Sequence, residues 1–550
     1  MNCLQCQSPF EITPADQRYY KEWGVPEPVF CPDCRHQTRC AYRNERKLYK
    51  RTCDLCKKPI VTVYTPSAPY PVLCQSCWWG DKWDPMRVGM DFDFSRPFFD
   101  QFYELQKKVP RLALNNIRSI NSDFCNLCAG NKDCYLIFAS DENQDCYYSY
   151  WINRCEDCFN CGYLADSRQC IECMECENCH RCIYSQQMKN CSECIFCFDM
   201  IGCKNCFGCT GLRNAEYHIY NKPVKKEEYE KKLAEVFLEK LSTRANFQAL
   251  KDWYRELKMK TPRRYAMIIS SEDCTGDYIY NSRGCEQCFE VFDSENCRYS
   301  YFMVHQNFNC VDTSFVTECR NSYQSLSVVG GEGIRFSIYC WYDSNILYSD
   351  LCMNSEELFG CVGLNKANHC ILNKKYKPEA YKELRQKIVA HMSASGGTGE
   401  WGQFFPIKNS PFPYNDTAAQ DYYPLNQEQV LAKGWQWNSE TSAVPSGEYV
   451  ALPEDIKQVT DAVLKHKILC RKCGRGYRVM KRELNIYRVN FIPLPEICPD
   501  CRHLRRLKKK NHYSLYNRTC QKCGKALQTS YAPNRQEIVY CEECYYQIRY

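Results

Sequence analysis

The chain has 550 residues, 45 of them cysteine, and a formal net charge of +7. That length predicts about three to five compact units rather than one core. The start from Met1 to Phe10 is polar and no stretch approaches about 18 apolar residues, which argues against a signal peptide, a secreted disulfide scaffold and a membrane span, and for a reducing cytoplasm. The charge is segregated. Residues 1–79 carry 11 Lys and Arg against 7 Asp and Glu, and residues 466–550 carry 19 against 6, so basic ends flank an acidic middle.

In chain order, residues 1–84 hold four Cys-x2-Cys knuckles: Cys3 and Cys6, Cys31 and Cys34, Cys53 and Cys56, Cys74 and Cys77. Adding 467 to each number gives Cys470, Cys473, Cys498, Cys501, Cys520, Cys523, Cys541 and Cys544, so residues 466–550 duplicate the module without insertion or deletion. Tyr20 and Tyr487, Arg35 and Arg502, His36 and His503, and Tyr49 and Tyr516 keep the same offset. Two knuckles can place four thiolates around one tetrahedral ion at about 2.3 Å, a closed shell with no open position for a substrate. Four structural zinc ions are therefore expected, each adding roughly 10–16 kcal/mol of apparent binding energy to segments too small to build a core. Serial and cross-braced pairings both fit the spacing, and redox-active dithiols are the alternative chemistry.

The run Cys3, Phe10, Tyr20, Pro28 and Cys31-Pro32-Asp33-Cys34-Arg35 resembles the probable zinc-ribbon domain family. The whole arrangement also resembles uncharacterised multi-zinc-ribbon proteins of candidate-phylum bacteria. The resemblance implies a zinc-ribbon fold and bound metal at both ends. It brings no biochemical activity with it.

Residues 85–112 read as a helical connection. Residues 113–220 contain eighteen cysteines from Cys125 to Cys209, all in one position modulo three. Intervals of 21 recur, as in Cys134, Cys155, Cys176 and Cys197, and a fixed period of this size signals a stacked repeat. The expected architecture is a mainly β chain with two Cys-rich parallel β-solenoids of about 21 residues per coil, helical caps, and paired zinc ribbons at both termini. Residues 221–265 form the first cap and linker, with Leu233, Val236, Phe237 and Leu241 at helical spacing. Residues 266–376 form the second solenoid, where Cys319, Cys340 and Cys361 repeat the step of 21 and Ser325, Ile346, Ala367 and Asp343 fall inside. Residues 377–465 read as a helical cap, a long partly ordered connection over 394–450, and a short helix near Pro453.

Interior cysteines have three readings: small buried hydrophobes, metal ligands or regulatory disulfides. A 21-residue coil stacks Cys155 and Cys158 on Cys176 and Cys179, and Cys170 and Cys173 on Cys191 and Cys194, which would offer further tetrathiolate sites for additional ions. The iron–sulfur ending Cys-x3-Cys-Pro is absent after Cys176.

No phosphate-binding glycine loop, nucleophile elbow or His-Glu metal motif occurs, so a non-enzymatic role is expected. Arg35, Arg39, Arg502, Arg505, Arg506, Lys508, Lys509 and Lys510 flank the knuckles with aromatic residues interleaved. That chemistry suits nucleic acid, structured RNA or a ribonucleoprotein above all. The alternative is a protein-interaction scaffold that uses the solenoid surface. A metal reservoir or an enzyme ranks below both.

Overall fold

The computed structural model describes residues 1–236, 241–393, 398–439 and 449–549; Phe237 lies outside them. Two runs of short parallel strands fill the middle, from Asn116–Ile117 to Glu216–Ile219 and from Ile268–Ile269 to Asn368–Ile371. In the first run each parallel bridge joins a residue to the one 12 positions later. Lys132, Tyr135, Phe138 and Asp141 lie beside Gln144, Tyr147, Tyr150 and Asn153. Bridged positions therefore recur every third residue, four to each 12-residue unit.

This register corrects the 21-residue coil. Steps of nine and 12 both keep the modulo-three frame, and their sum lands one triplet short of the same face two units on. The second run also steps by 12, with one residue fewer at its start, where Ile268 lies beside Ile279, and one extra residue where Tyr301 lies beside Ser314. That insertion accounts for the interval of 22 between Cys297 and Cys319.

Within a triplet one side chain is buried, the next residue bridges, and the third takes positive φ. Cys158, Phe159 and Asn160 (φ 55°) are followed by Cys161, Gly162 and Tyr163 (φ 57°). A left-handed residue redirects the chain after every triplet. Asn and Asp adopt that conformation more readily than other side chains, and Asp157, Asn178 and Asn190 occupy such corners.

Beyond the first unit of each run, where Cys128 and Cys288 still donate to the carbonyls of Asn115 and Thr275, inward residues turn their amides away from the neighbouring backbone. Several of these N–H groups find the inward side chain one unit earlier: Cys161 donates to Ser149 Oγ at 3.1 Å, Cys179 to Ser167 Oγ at 3.1 Å and Cys155 to Asn143 Oδ1 at 2.9 Å. Cys319 with Asn307 (3.0 Å) and Cys361 with Ser349 (3.3 Å) repeat the bond in the second run. Sulfur fills the same role where Cys146 N–H meets Cys134 Sγ at 3.5 Å. These side chains also donate to carbonyl groups, as Cys161 Sγ does to Cys170 O at 3.3 Å. Buried backbone groups need partners, so an interior this narrow favours small side chains that both accept and donate.

Helices cover the runs. Lys226–Glu235 places Tyr229 against Tyr217, and Pro378–Met392 places Tyr381 against His369. Phe98–Lys108 sets Phe98 on Phe359 of the second run, and Arg244–Lys260 sets Phe247 and Tyr254 on Phe196 of the first. Residues 398–439 are no loose linker. Phe405, Tyr414 and Ala419 are buried, and Ala418 N–H donates to Arg43 O at 2.8 Å in the N-terminal module. Near Pro453 the chain forms two 3-10 turns, Ile456–Gln458 and Asp461–Lys465, in place of one helix. Among the described residues no helix is long and apolar enough to cross a membrane.

Asp343 is an inward carboxylate. Its Oδ1 accepts from Ser355 N–H at 2.7 Å, while Oδ2 is buried without a partner. Burial pushes the carboxyl up to about 7, against the opposing N–H groups of Ser355 and Trp341. The unfolded value is about 3.9, so between about pH 4 and 7 the folded state binds more protons and stability falls as pH rises. Asp343→Asn keeps the acceptor and removes the charge. Thermal melts should show the variant more stable than the parent at pH 8, by an amount on the order of a few kcal/mol, and nearly equal to it at pH 4.

Candidate metal centres and the charges around them

Each terminal module builds two four-cysteine groups from consecutive knuckles. The first knuckle of a group is a turn: Gln7 N–H donates to Cys3 O at 2.9 Å and Lys57 N–H to Cys53 O at 2.9 Å. Gly474 and Gly524 close the same turn after Cys470 and Cys520. The residue closing it has positive φ in all four copies, 62° at Gln7, 64° at Lys57, 70° at Gly474 and 77° at Gly524. The second knuckle starts a helix. Cys31, Cys74, Cys498 and Cys541 cap Pro32–Cys40, Gln75–Trp78, Pro499–Leu507 and Glu542–Tyr546.

The groups are Cys3, Cys6, Cys31, Cys34; Cys53, Cys56, Cys74, Cys77; Cys470, Cys473, Cys498, Cys501; and Cys520, Cys523, Cys541, Cys544. Pairing is serial, not cross-braced. Within each group all sulfur atoms lie inside 4.8 Å of one another, and the sulfurs of Cys6 and Cys31, Cys473 and Cys498, and Cys523 and Cys541 are 3.7 Å apart. A tetrahedron with metal–sulfur bonds of about 2.3 Å has edges of about 3.8 Å, so each group could hold one ion, consistent with zinc. Burial pushes the Cys53 and Cys520 thiols up, yet surrounding backbone N–H groups outweigh it and bring both down to about 6. Thiolate character of this kind is what a metal ligand requires.

The interior cysteines behave differently. With a 12-residue register Cys155 is followed on its face by Ser167 and Cys176 by Met188, so the proposed sets of Cys155, Cys158, Cys176, Cys179 and of Cys170, Cys173, Cys191, Cys194 do not assemble. Among the described residues only the four terminal groups gather three or more ligand atoms. Burial pushes the Cys128, Cys340 and Cys352 thiols well above their ordinary value, while at Cys146 burial is outweighed by hydrogen bonds from Cys134 and Cys158, which bring the thiol down to about 5, so placement rather than acidity separates the interior cysteines from the terminal groups. The signal missed in the sequence was a column of seven cysteines in steps of 12, from Cys134 to Cys206.

The cations expected to face nucleic acid are mostly internal. Arg35 Nε lies 2.8 Å and Arg39 Nη1 3.5 Å from Asp312 of the second run. Arg502 pairs with Glu483 at 2.9 Å, and Tyr148 OH donates to that carboxylate at 2.8 Å. Arg505 reaches Glu172 at 2.7 Å, Arg506 donates to Tyr148 O at 2.8 Å, and Lys510 pairs with Glu290. Lys508 is exposed, whereas Lys509 is half-buried. The acidic middle is thus the counter-charge of the basic ends, a pairing that charge counts along one chain do not reveal.

The two ends dock alike. Tyr299 OH donates to Asp16 Oδ2 at 3.1 Å as Tyr148 OH does to Glu483, and Asp16 and Glu483 are equivalent under the offset of 467. Helix Pro14–Trp23, which carries Asp16, thereby seats on the second run and helix Lys481–Val489, which carries Glu483, on the first.

No family model and no curated protein matches the chain. A solved structure from Desulfovibrio desulfuricans G20, provisionally named an acetyltransferase, is similar at 8% identity with a TM-score of 0.11. The match covers 45% of this chain and 65% of that one, less than two thirds of its length, and carries no argument about fold or function.

Elemental analysis should give about four zinc ions per chain and about three in Cys523→Ser. Six or more would overturn the assignment of the interior cysteines to packing. Glu172→Gln, which leaves Arg505 and Arg506 without their carboxylate, should lower stability by about 3–5 kcal/mol in denaturant unfolding.

Proposed function

We propose that the chain is a non-enzymatic scaffold tied together by four structural zinc ions. In this reading the two parallel runs are four-sided β-solenoids of 12 residues per coil, and their exposed faces present a rigid surface to a protein partner. The observation that carries the reading is the orientation of helices Pro32–Cys40 and Pro499–Leu507. Arg35 and Arg39 of the former meet Asp312 of the second run and Arg505 of the latter meets Glu172 of the first run, so the zinc modules serve as internal clamps.

Solenoid geometry repeats chemical groups at a fixed interval. Arg154 and Asp166, Glu156 and Arg168, Glu177 and Lys189, and Arg181 and Glu193 pair across adjacent units on the exposed side of the first run. Such exposed pairs add little stability, and a patterned, stiff surface of this kind suits recognition.

Affinity capture of the chain from its own cells should retain one protein in stoichiometric amount after nuclease treatment. Arg154→Glu with Arg168→Glu should lose that protein while keeping zinc content and melting temperature. Tight RNA binding that falls steeply with salt would instead favour the nucleic-acid reading, through exposed cations such as Lys472, Lys481 and Lys508.

A further inference from the structure

The chain repeats itself at a second offset, and one place in that repetition is unbalanced. The two runs end alike at Phe207-Gly208-Cys209 and Phe359-Gly360-Cys361, an offset of 152. The same offset relates the segments before the runs: Glu104-Leu105-Gln106 and Pro110-Arg111 correspond to Glu256-Leu257-Lys258 and Pro262-Arg263. The structure respects it. Arg111 pairs in register with Val72 of the N-terminal module, and Arg263 pairs with Val539, the residue equivalent to Val72.

Around Arg111 the charges close. Arg111 Nη2 and Gln106 Nε2 each lie 2.8 Å from Asp350 Oδ2, and Arg111 Nε lies 2.9 Å from Tyr64 OH. Around Arg263 they do not. The position of Asp350 is taken by Phe198, with the Arg263 guanidinium 4.5 Å above its ring. Lys258 stands where Gln106 does, and Lys509 stands where the N-terminal module has Tyr42. The second half has gained two ammonium groups and lost the carboxylate.

Those groups line a cavity of about 150 Å³, where the first run, helix Arg244–Lys260, the second run and the C-terminal module meet. Lys258 Nζ donates to the neutral Oε1 of Gln186 at 3.2 Å and lies 4.7 Å above the Tyr254 ring, with no ion pair among the described residues. The Lys509 ammonium has no ion pair or hydrogen bond among the described residues, and Arg263 Nε is buried without a partner. The one carboxylate in the lining, Glu537, is held by Arg535 at 2.5 Å. The nearby Glu290 and Glu175 face Lys510.

We infer that this cavity binds a small phosphate-type oxoanion, which supplies from outside the chain the negative charge that Asp350 supplies in the other half. Three cations converging on one space provide the point charges and the guanidinium fork that a tetrahedral oxoanion accepts. The volume is below that of pockets for drug-sized ligands, which limits the occupant to a single phosphate group. The site carries its strain in the free protein: burial first, then Lys509 and Arg263, push the Lys258 ammonium down to about 7, against Glu175 and Glu537. An anion between them relieves that repulsion.

Isothermal titration of the full zinc-loaded chain with inorganic phosphate, at ionic strength held constant with chloride, tests the inference. Saturable binding is expected, accompanied by a rise in melting temperature that equal ionic strength of chloride does not reproduce. Lys509→Gln and, separately, Phe198→Asp should each weaken binding at least tenfold, the second by supplying an internal carboxylate, with zinc content unchanged in both. Phe198→Asp should also melt higher than the parent in the absence of phosphate. AMP binding more tightly than inorganic phosphate would identify a nucleotide as the source of the group, and equal or weaker binding would identify the free ion. Absence of saturable phosphate binding, or two folded variants that bind as the parent does, would overturn the inference.

Discussion

Every third residue of the two runs turns its amide and its side chain into the same narrow interior, and that geometry constrains the rest of the molecule. Past the first unit of each run an N–H aimed inward meets no carbonyl of the neighbouring unit, and at several positions the side chain one unit earlier becomes its acceptor. Ser149, Ser167, Asn143, Asn307 and Ser349 all act in this way. Cysteine suits the remaining places because it is small, tolerates burial and has a weak donor and a weak acceptor on one atom. Inward thiols of the runs are engaged one by one with backbone carbonyls, whereas knuckle thiols are gathered in fours within 4.8 Å of one another, the arrangement a tetrahedral ion requires. One residue type thus serves two chemistries within one chain, and the local backbone decides which.

The charges obey a comparable rule at larger scale. The acidic runs and the basic modules are complementary surfaces of one molecule, and much of their contact is buried. Asp312 lies between Arg35 and Arg39, and Asp500 faces Arg46 at 3.5 Å and Lys47 at 3.2 Å across the two terminal modules. Burial disfavours the Asp500 carboxylate, but Lys47, Arg46 and Arg475 hold it well below the usual range. Buried pairs of this kind contribute modest net stability and strong penalties when one member is lost. An ion held at Cys498 would be coupled to these contacts, because the helix that begins there also carries Arg502 and Arg505 to Glu483 and Glu172.

The ligand frame was legible in the sequence because a knuckle is a local object, and duplication at one offset leaves little freedom in reading it. Serial pairing was not, since it depends on how two knuckles pack. The modulo-three frame correctly placed Ser325, Ile346, Ala367 and Asp343 inside, and they are buried. The step of 12 is masked because intervals of 21 recur among cysteines that share one modulo-three frame, although the column from Cys134 to Cys206 already carries it. Ser and Asn at inward positions extend further columns, as through Ser149, Cys161 and Cys173. The corners carried their own signal in Asn and Asp at the third position of a triplet. Charge runs such as Arg505 to Lys510 hid their partners, because Glu172 and Glu290 lie hundreds of residues away in sequence and adjacent in space.

Two offsets, 467 for the modules and 152 for the runs, describe a molecule assembled from repeated parts, and repeated parts make departures informative. Most equivalent positions preserve the chemistry of a contact even where the residue changes: Asp16 and Glu483 both meet a tyrosine hydroxyl, and Arg39 and Arg506 point to Asp312 and Asn160. Exchange of Asp350 for Phe198 does not. A structural site would relax by losing its cations along with their counter-ion, yet Lys258 and Lys509 add to the charge around Arg263. Half-buried cations gathered without a facing carboxylate repel one another, and an anion from outside the chain would relieve that repulsion. That argument separates the cavity at Arg263 from the filled site at Arg111, although both rest on the same backbone.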